Sequence, residues 1–310
     1  MATPVWRHIL RGVKSICVAP PVGTGGTVSA QYCYSVYLRH LVMADQHGLP
    51  TVPRTVVELG PGDSMGIGLM ALLTGAERYY SLDAVRHASI ETNLLVFDEL
   101  VQLLRVQAPI PSGDKFTEIL PALSDYRFPT QILRQGRLTQ ALAPERLKSL
   151  RNALASNMIR APIYYLAPMG RTSEIPSNSV DLIVSQAVME HVEQLEETYV
   201  ECFRILKPGG YMSHQIDFRC HDTASEWNGH WKYSDLTWRL MRGGHPWFIN
   251  RQPCSTHIGI SRQVGFTIHA EIRQCSAFGI SRKKLAGSFK SLSDHDFLTA
   301  GVFLLASRGS

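Results

Sequence analysis

The chain has 310 residues, 45% of them hydrophobic and 18% charged, with a formal net charge of +5. This is a globular composition with material for a large core; it excludes a disordered or fibrous chain, and the scattered positive excess disfavours nucleic acid as a partner. No apolar run reaches the roughly 18 residues that span a bilayer, no signal-peptide-like region opens the chain, and the six cysteines lack metal-type or redox-type spacing, which together predict a cytoplasmic protein with free thiols.

Residues 1–50 read as an N-terminal helical extension or lid, in which Pro20, Pro21, Gly23, Gly25 and Gly26 mark a break before a helix over Tyr32–His47. From Thr55 the pattern becomes strand and helix in alternation. Thr55–Leu59 is a short buried-type strand, Met65–Leu73 an apolar helix, Arg78–Leu82 a second strand, and His87–Val106 a long amphipathic helix. Such alternation predicts a parallel sheet covered on both sides. Residues 108–160 interrupt it as a mainly helical insertion, with one helix over Pro144–Met158 opened by a proline suited to a first turn. Strands over Ile163–Leu166, Val180–Ser185 and Tyr211–Ile216 follow, with a helix over Leu195–Leu206 closed by Lys207-Pro208-Gly209-Gly210. Phe266–Ile272 and Gly301–Ala306 close the sheet, and the basic stretch Arg282–Lys290 reads as solvated surface.

The first strand runs into V-V-E-L-G-P-G-D-S-M-G, residues 56–66. A glycine-rich turn here can hold a dinucleotide, but a pyrophosphate wants bare N–H groups, and Glu58 and Asp63 would set anions against it. A ligand with positive charge beside the turn fits instead, as S-adenosylmethionine has in its sulfonium and ammonium groups. Gly60 and Gly62 let the backbone approach the ligand. Asp83, about 20 residues on at the end of the second strand, can accept hydrogen bonds from an adenosine ribose.

V-E-L-G-P-G-D-S, then S-L-D-A, then V-D-L-I-V-S-Q-A-V-M-E-H-V, then R-I-L-K-P-G-G-Y-M resemble the ordered motifs of class I S-adenosylmethionine-dependent methyltransferases, over about 55–107 and 161–310. The resemblance implies an α/β, Rossmann-like seven-stranded sheet of order 3-2-1-4-5-7-6, strand 7 antiparallel, in a methyltransferase domain over 51–310. It implies that Glu58, Gly60 and Gly62 line the methionine part of the donor and Asp83 its ribose. The family often carries a third glycine where Ser64 stands. Glu174 is the candidate near the adenine, and Ser185 and Gln186 are candidates near the reactive end of the donor.

Methyl transfer to a hydroxyl needs an aligned nucleophile and a base for its proton. Such groups belong at the carboxyl ends of parallel strands, where Glu190-His191 follows strand four and His214, Asp217 and His221 accompany strand five. The candidate bases rank as His214, Asp217 and His191. Trp227, Asn228, His230 and Tyr233 mix ring faces with polar groups and read as an acceptor pocket for sugar hydroxyls or as a packed loop. Glu190, His191, His214 and His230 could together hold a divalent metal; a class of RNA 2′-O-methyltransferases uses a Glu-His pair after strand four in this way, and only that pair is shared.

The stretch S-H-Q-I-D-F…E-W-N-G-H-W-K-Y-S-D looks similar, more loosely, to O-methyltransferases of bacterial polysaccharide and natural-product pathways. The expectation is transfer to a carbohydrate or glycoconjugate hydroxyl. RNA or a small-molecule hydroxyl or amine is the rival acceptor, and a non-catalytic donor-binding module the rival of another class; a nicotinamide-dependent oxidoreductase comes last because of the acid pair.

Overall fold

In the computed structural model, residues 4–17, 27–156, 158–245 and 248–309 are described. The Pro20–Gly26 break falls outside them. Alternation begins with β1 (Thr55–Leu59), α3 (Gly66–Leu73), β2 (Arg78–Leu82) and α4 (Ile90–Arg105), the last capped by the Ser89 hydroxyl on the Thr92 N–H. After α5 (Gln135–Ala141) and α6 (Pro144–Ala155) come β3 (Ile159–Arg160), β4 (Ile163–Leu166), β5 (Val180–Gln186), α7 (Leu195–Ile205) and β6 (Leu206–Asp217). The chain ends through α8 (Asp235–Arg242), α9 (Cys254–Val264), β7 (Phe266–Cys275), α10 (Asp294–Leu298) and β8 (Thr299–Arg308).

The strands lie in the order β3-β4-β2-β1-β5-β6-β8-β7. β4, β2, β1, β5 and β6 are parallel neighbours, while β8 runs antiparallel to β6 and to β7. This is the 3-2-1-4-5-7-6 sheet with its antiparallel seventh strand, extended at one edge by the two-residue β3, antiparallel to β4. β3, and the helices α5, α8, α9 and α10, are features that the sequence pattern did not contain. The parallel strands are buried on both faces, as their unbroken apolar runs require.

Two cores result. On one face Val56, Leu182, Val184 and Tyr211 pack with α3, α4 and α6. On the other Val57, Ile183, Met212 and Ile216 pack with α7 and α9. α2 (Ala30–Gln46) belongs to the first of these cores: Cys33, Tyr34, Val36, Tyr37, Leu38 and Leu41 are fully buried. A helix apolar on every side is an interior helix, so α2 is part of the domain rather than a lid over it. The insertion is tied to it. The buried Arg39 donates from Nη1 to the carbonyls of Ile119 (3.0 Å) and Pro121 (2.6 Å), and from Nη2 to that of Pro111 (3.2 Å). α1 (Val5–Cys17) lies against α8, where a Cβ on Gly12 would come within 2.1 Å of the Leu240 carbonyl oxygen. Val5 and Ile9 join Tyr233, Trp238, Met241 and Ile249 in a small satellite core.

Candidate active site

The turn after β1 places Gly60 at φ +62° and Gly62 at φ +71°, the left-handed region that glycine enters without a side-chain penalty. A Cβ on Gly60 would stand 2.6 Å from Val188 Cγ2. The Gly60 N–H donates to the Leu82 carbonyl at 2.7 Å, fixing the turn to the end of β2. Ser64 is buried; its hydroxyl donates to the Thr27 carbonyl, so the position tethers the residues before α2 to the turn. Asp63 is half-buried beside Gly62.

A cleft of about 770 Å³ opens at the carboxyl ends of the parallel strands, where such folds bind ligands. Gly60, Gly62 and Asp83 line it on one side, and His191, His221 and Phe248 are among the residues lining the rest. Asp83 Oδ1 accepts the Ala84 N–H at 2.8 Å, while the buried Oδ2 has no hydrogen-bond partner among the described residues. Burial pushes the Asp83 carboxyl up, against the pull of His87 and of the nearby backbone N–H groups of Ala84, Val85 and Gly62. A buried acceptor without a donor is costly, and a ribose diol at this wall would supply one. This fits S-adenosylmethionine.

Glu58 stands under the turn and lines no part of the cleft. Its Oε2 accepts from the Gly68 N–H at 3.0 Å and from the Tyr79 hydroxyl, and burial pushes its carboxyl up to about 8. It thus braces α3 and β2 against β1. A second, smaller cavity is lined by Leu59, Leu82, Thr172 and Gln194 among others, and Leu82, Gln194 and Thr198 are shared with the first. Thr172 reaches it; Glu174 is exposed and lines neither cavity.

The strand-five candidates separate by face. Asp217 ends β6 with Oδ2 3.6 Å from His221 Nε2, and its Oδ1 accepts the Arg219 N–H at 2.9 Å. Burial alone would raise its carboxyl, but the His221 hydrogen bond and the Arg219 guanidinium outweigh this and hold it below the usual carboxylate range. His214 points the other way, into the core against α7 and α9. It is fully buried, bonded through Nδ1 to Ser185 Oγ at 2.7 Å and set edge-on to Tyr199. Burial pushes its imidazole down to about 3. His214 and Ser185 therefore form a structural pair, and the expectation of His214 as base and metal ligand is corrected. Gln186 Nε2 donates to Gln215 Oε1 on the α2 face of the sheet, and Gln186 lines neither cavity.

The acceptor-pocket expectation meets a packed segment. Asn228 Oδ1 accepts the Ile280 N–H at 2.7 Å, and the Tyr233 hydroxyl donates to the Thr223 carbonyl at 2.9 Å. Trp227 leans on the fully buried Trp231, and His230 is wedged beside Trp231 and Trp238 with its imidazole pushed down to about 3 by burial. None of the four lines the cleft. They hold the loop that presents His221.

Of the four metal candidates Glu190, His191, His214 and His230, the structure brings the first two together with His221, while His214 and His230 are packed elsewhere. Glu190, His191 and His221 bring one ligand atom each to within 4.8 Å of one another. The rings of His191 and His221 are edge-to-face, 5.0 Å apart. Glu190 and His191 occupy a single 3-10 turn after β5, entered through Ala187 at φ +53°. Asn250 holds that turn: its Nδ2 donates to the carbonyls of Met189 and Val192 at 2.9 and 2.8 Å, and its N–H to that of Glu190 at 2.6 Å. Asn250 lies 59 positions from His191 in the chain, with no motif around it to mark it. His221 is legible in the sequence through its position after strand five, close behind Asp217.

Residues 135–213 match a family model described as a methyltransferase domain. This match runs from α5 into β6 and leaves the glycine turn to the geometry given above. No curated protein matches the chain. Among solved structures it is similar to an S-adenosylmethionine-dependent methyltransferase from Mesorhizobium loti, at 14% identity over 87% of this chain and 98% of the other, TM-score 0.41. It is also similar to phosphoethanolamine N-methyltransferase 2 of Haemonchus contortus, in complex with S-adenosyl-L-methionine, at 12% identity over 94% and 62%, TM-score 0.43.

Proposed function

We propose that this class I S-adenosylmethionine-dependent methyltransferase methylates a hydroxyl group of a carbohydrate or glycoconjugate. The observation that carries the hydroxyl is the polar cluster of His191 and His221, with Asp217 behind His221, in the same cleft as Gly60, Gly62 and Asp83. An alcohol is a weak nucleophile until its proton leaves, and such a cluster gives that proton somewhere to go. An amine acceptor would need no such group once neutral.

The donor supplies an electrophilic methyl group. Asp83 would hold its ribose, and the glycine turn would admit its amino-acid part without side-chain interference. The cleft is walled in part by the apolar side chains of Val188, Val192, Phe248 and Ile249. The saccharide assignment is supported by the resemblance of the 213–235 stretch to polysaccharide and natural-product O-methyltransferases; its aromatic residues serve there as scaffold for the loop carrying His221.

The test is a screen with isotope-labelled methyl donor against saccharides, RNA and small-molecule amines, with mass spectrometry of the products. Label on a sugar oxygen is expected. Label only on RNA or on nitrogen would replace the acceptor assignment, and tight donor binding without turnover on any class would favour a binding module.

A further inference from the structure

We propose that Glu190, His191 and His221 form a binding site for one divalent transition-metal ion in the wall of the cleft. Two imidazoles and one carboxylate are the donor set of zinc, manganese and iron(II) sites, and they suit magnesium poorly. Two atoms bound to one such ion at about 2.1 Å stand at most about 4.2 Å apart. The three ligand atoms lie within 4.8 Å of one another, so a gap at that bound reaches the limit by closing about 0.6 Å, which a side-chain adjustment can supply.

Glu190 is the independent sign that something belongs there. Its side chain is buried at 2% exposure, and neither carboxylate oxygen has a hydrogen-bond partner among the described residues. His191 Nε2 stands 4.0 Å from Oε1, an ion-pair distance that is beyond hydrogen-bond reach. Burying a carboxylate so poorly matched is expensive. A bound cation would remove the cost.

The surrounding backbone is built to hold these side chains still. Asn250 fastens the Glu190-His191 turn through three hydrogen bonds. His221 and Asp222 sit at φ +45° and +62°, two consecutive left-handed residues directly behind β6, a conformation that costs energy and persists where surroundings enforce it. Asp217, 3.6 Å from His221 Nε2, stands where a carboxylate commonly orients a metal-bound histidine.

The ion's role rests on the methyl-transfer reading; its binding does not. Three protein ligands leave positions open for the acceptor oxygen. With both imidazoles on the ion, the ion rather than a histidine would acidify the bound hydroxyl: its proton passes to water at the mouth of the cleft, the oxygen lone pair forms the new bond to the methyl carbon, and the carbon–sulfur bond breaks to leave a neutral thioether.

The experiment is calorimetric titration of the chelator-stripped full chain with Zn²⁺ and with Mn²⁺, together with S-adenosylhomocysteine as a probe of the donor site. One ion per chain is expected, bound at least tenfold more weakly by His221→Ala and by Glu190→Gln. Co²⁺ loaded in place of the native ion should show a visible absorption band that His221→Ala abolishes; His221 is in a partly exposed loop, and its loss leaves the cores intact. Absence of saturable binding, or binding equal in both variants and wild type, overturns the proposal. Metal binding without S-adenosylhomocysteine binding would keep the ion site and sink the methyltransferase function; the reverse would do the opposite.

Discussion

Asp83 and His214 show how far single residues can be read from sequence. Asp83 follows β2 directly, where strand position alone places a carboxylate beside a nucleoside, and it lines the cleft with its buried Oδ2 left without a donor among the described residues. Asp83→Ala should weaken S-adenosylhomocysteine binding by about 1 to 3 kcal/mol, the range for a lost charged hydrogen-bond partner. Calorimetry on folded variant and wild type checks this, and unchanged affinity would remove Asp83 from the donor site. The sequence carries the signal that His214 packs in the core. In a strand, side chains alternate between faces, and the neighbours of His214 at i±2 are Met212 and Ile216, both wholly buried in the α7–α9 core. Ser213, Gln215 and Asp217 share the other face, and only Asp217 reaches the site. For Trp227 to Tyr233 no comparable signal exists, because a ring with a polar tip serves a packed loop and a ligand pocket equally well.

At the level of elements, the alternation from Thr55 onward is legible because parallel strands buried on both faces leave unbroken apolar runs between amphipathic helices. α2 was harder. A chain segment ahead of the first strand is easily taken for an appendage, yet its burial on all sides makes it part of the first core. The buried Arg39 explains how such a helix also organises the 108–124 segment, which has little regular structure of its own. Its guanidinium satisfies three carbonyl oxygens from that segment and is braced by Ser35 Oγ at 3.2 Å. Arg39→Met keeps much of the apolar stem but strands those carbonyls, so we expect a loss of about 2 to 4 kcal/mol. Urea unfolding should show it as a lower midpoint. Proteolysis should find new cutting between residues 108 and 124; a variant as stable and as resistant as wild type would mean that the segment is held by its own packing.

The molecule as a whole carries several ionisable groups buried in their neutral forms, and they tie its stability to pH. His40, His214 and His257 are fully buried, and burial pushes each down to about 3, with His214 adding to the depression of the other two. In the unfolded chain these imidazoles titrate near 6.5. Their contribution to stability is therefore complete above about pH 6.5 and is lost as pH falls toward 3, because the unfolded state takes up protons that the folded state refuses. Glu58 acts in the opposite sense. Its folded value of about 8 lies above the usual carboxylate value, so its contribution is complete below about pH 4.5 and is lost as pH rises through 8. Glu190 and His230, shifted up and down respectively, offset one another. Asp83, shifted up, and the less buried His245 and His269, shifted down, act in opposite senses. Among the fully buried groups the balance between about pH 6.5 and 4.5 is three histidines against one carboxylate, a net uptake of roughly two protons on unfolding, or at most about 3 kcal/mol per pH unit. That is a large share of the 5 to 15 kcal/mol that holds a typical domain. The melting temperature of metal-free protein should accordingly fall steeply from pH 6.5 to 5. His257→Asn removes one imidazole while leaving a polar group to face the Tyr199 hydroxyl, which stands 3.1 Å from His257 Nδ1. The fall should become shallower in that variant by about one proton's worth, even though its stability at pH 7.5 is lower. A wild-type melting temperature that is flat across this window, or a variant with the same slope, would mean that these histidines reach water in the folded state.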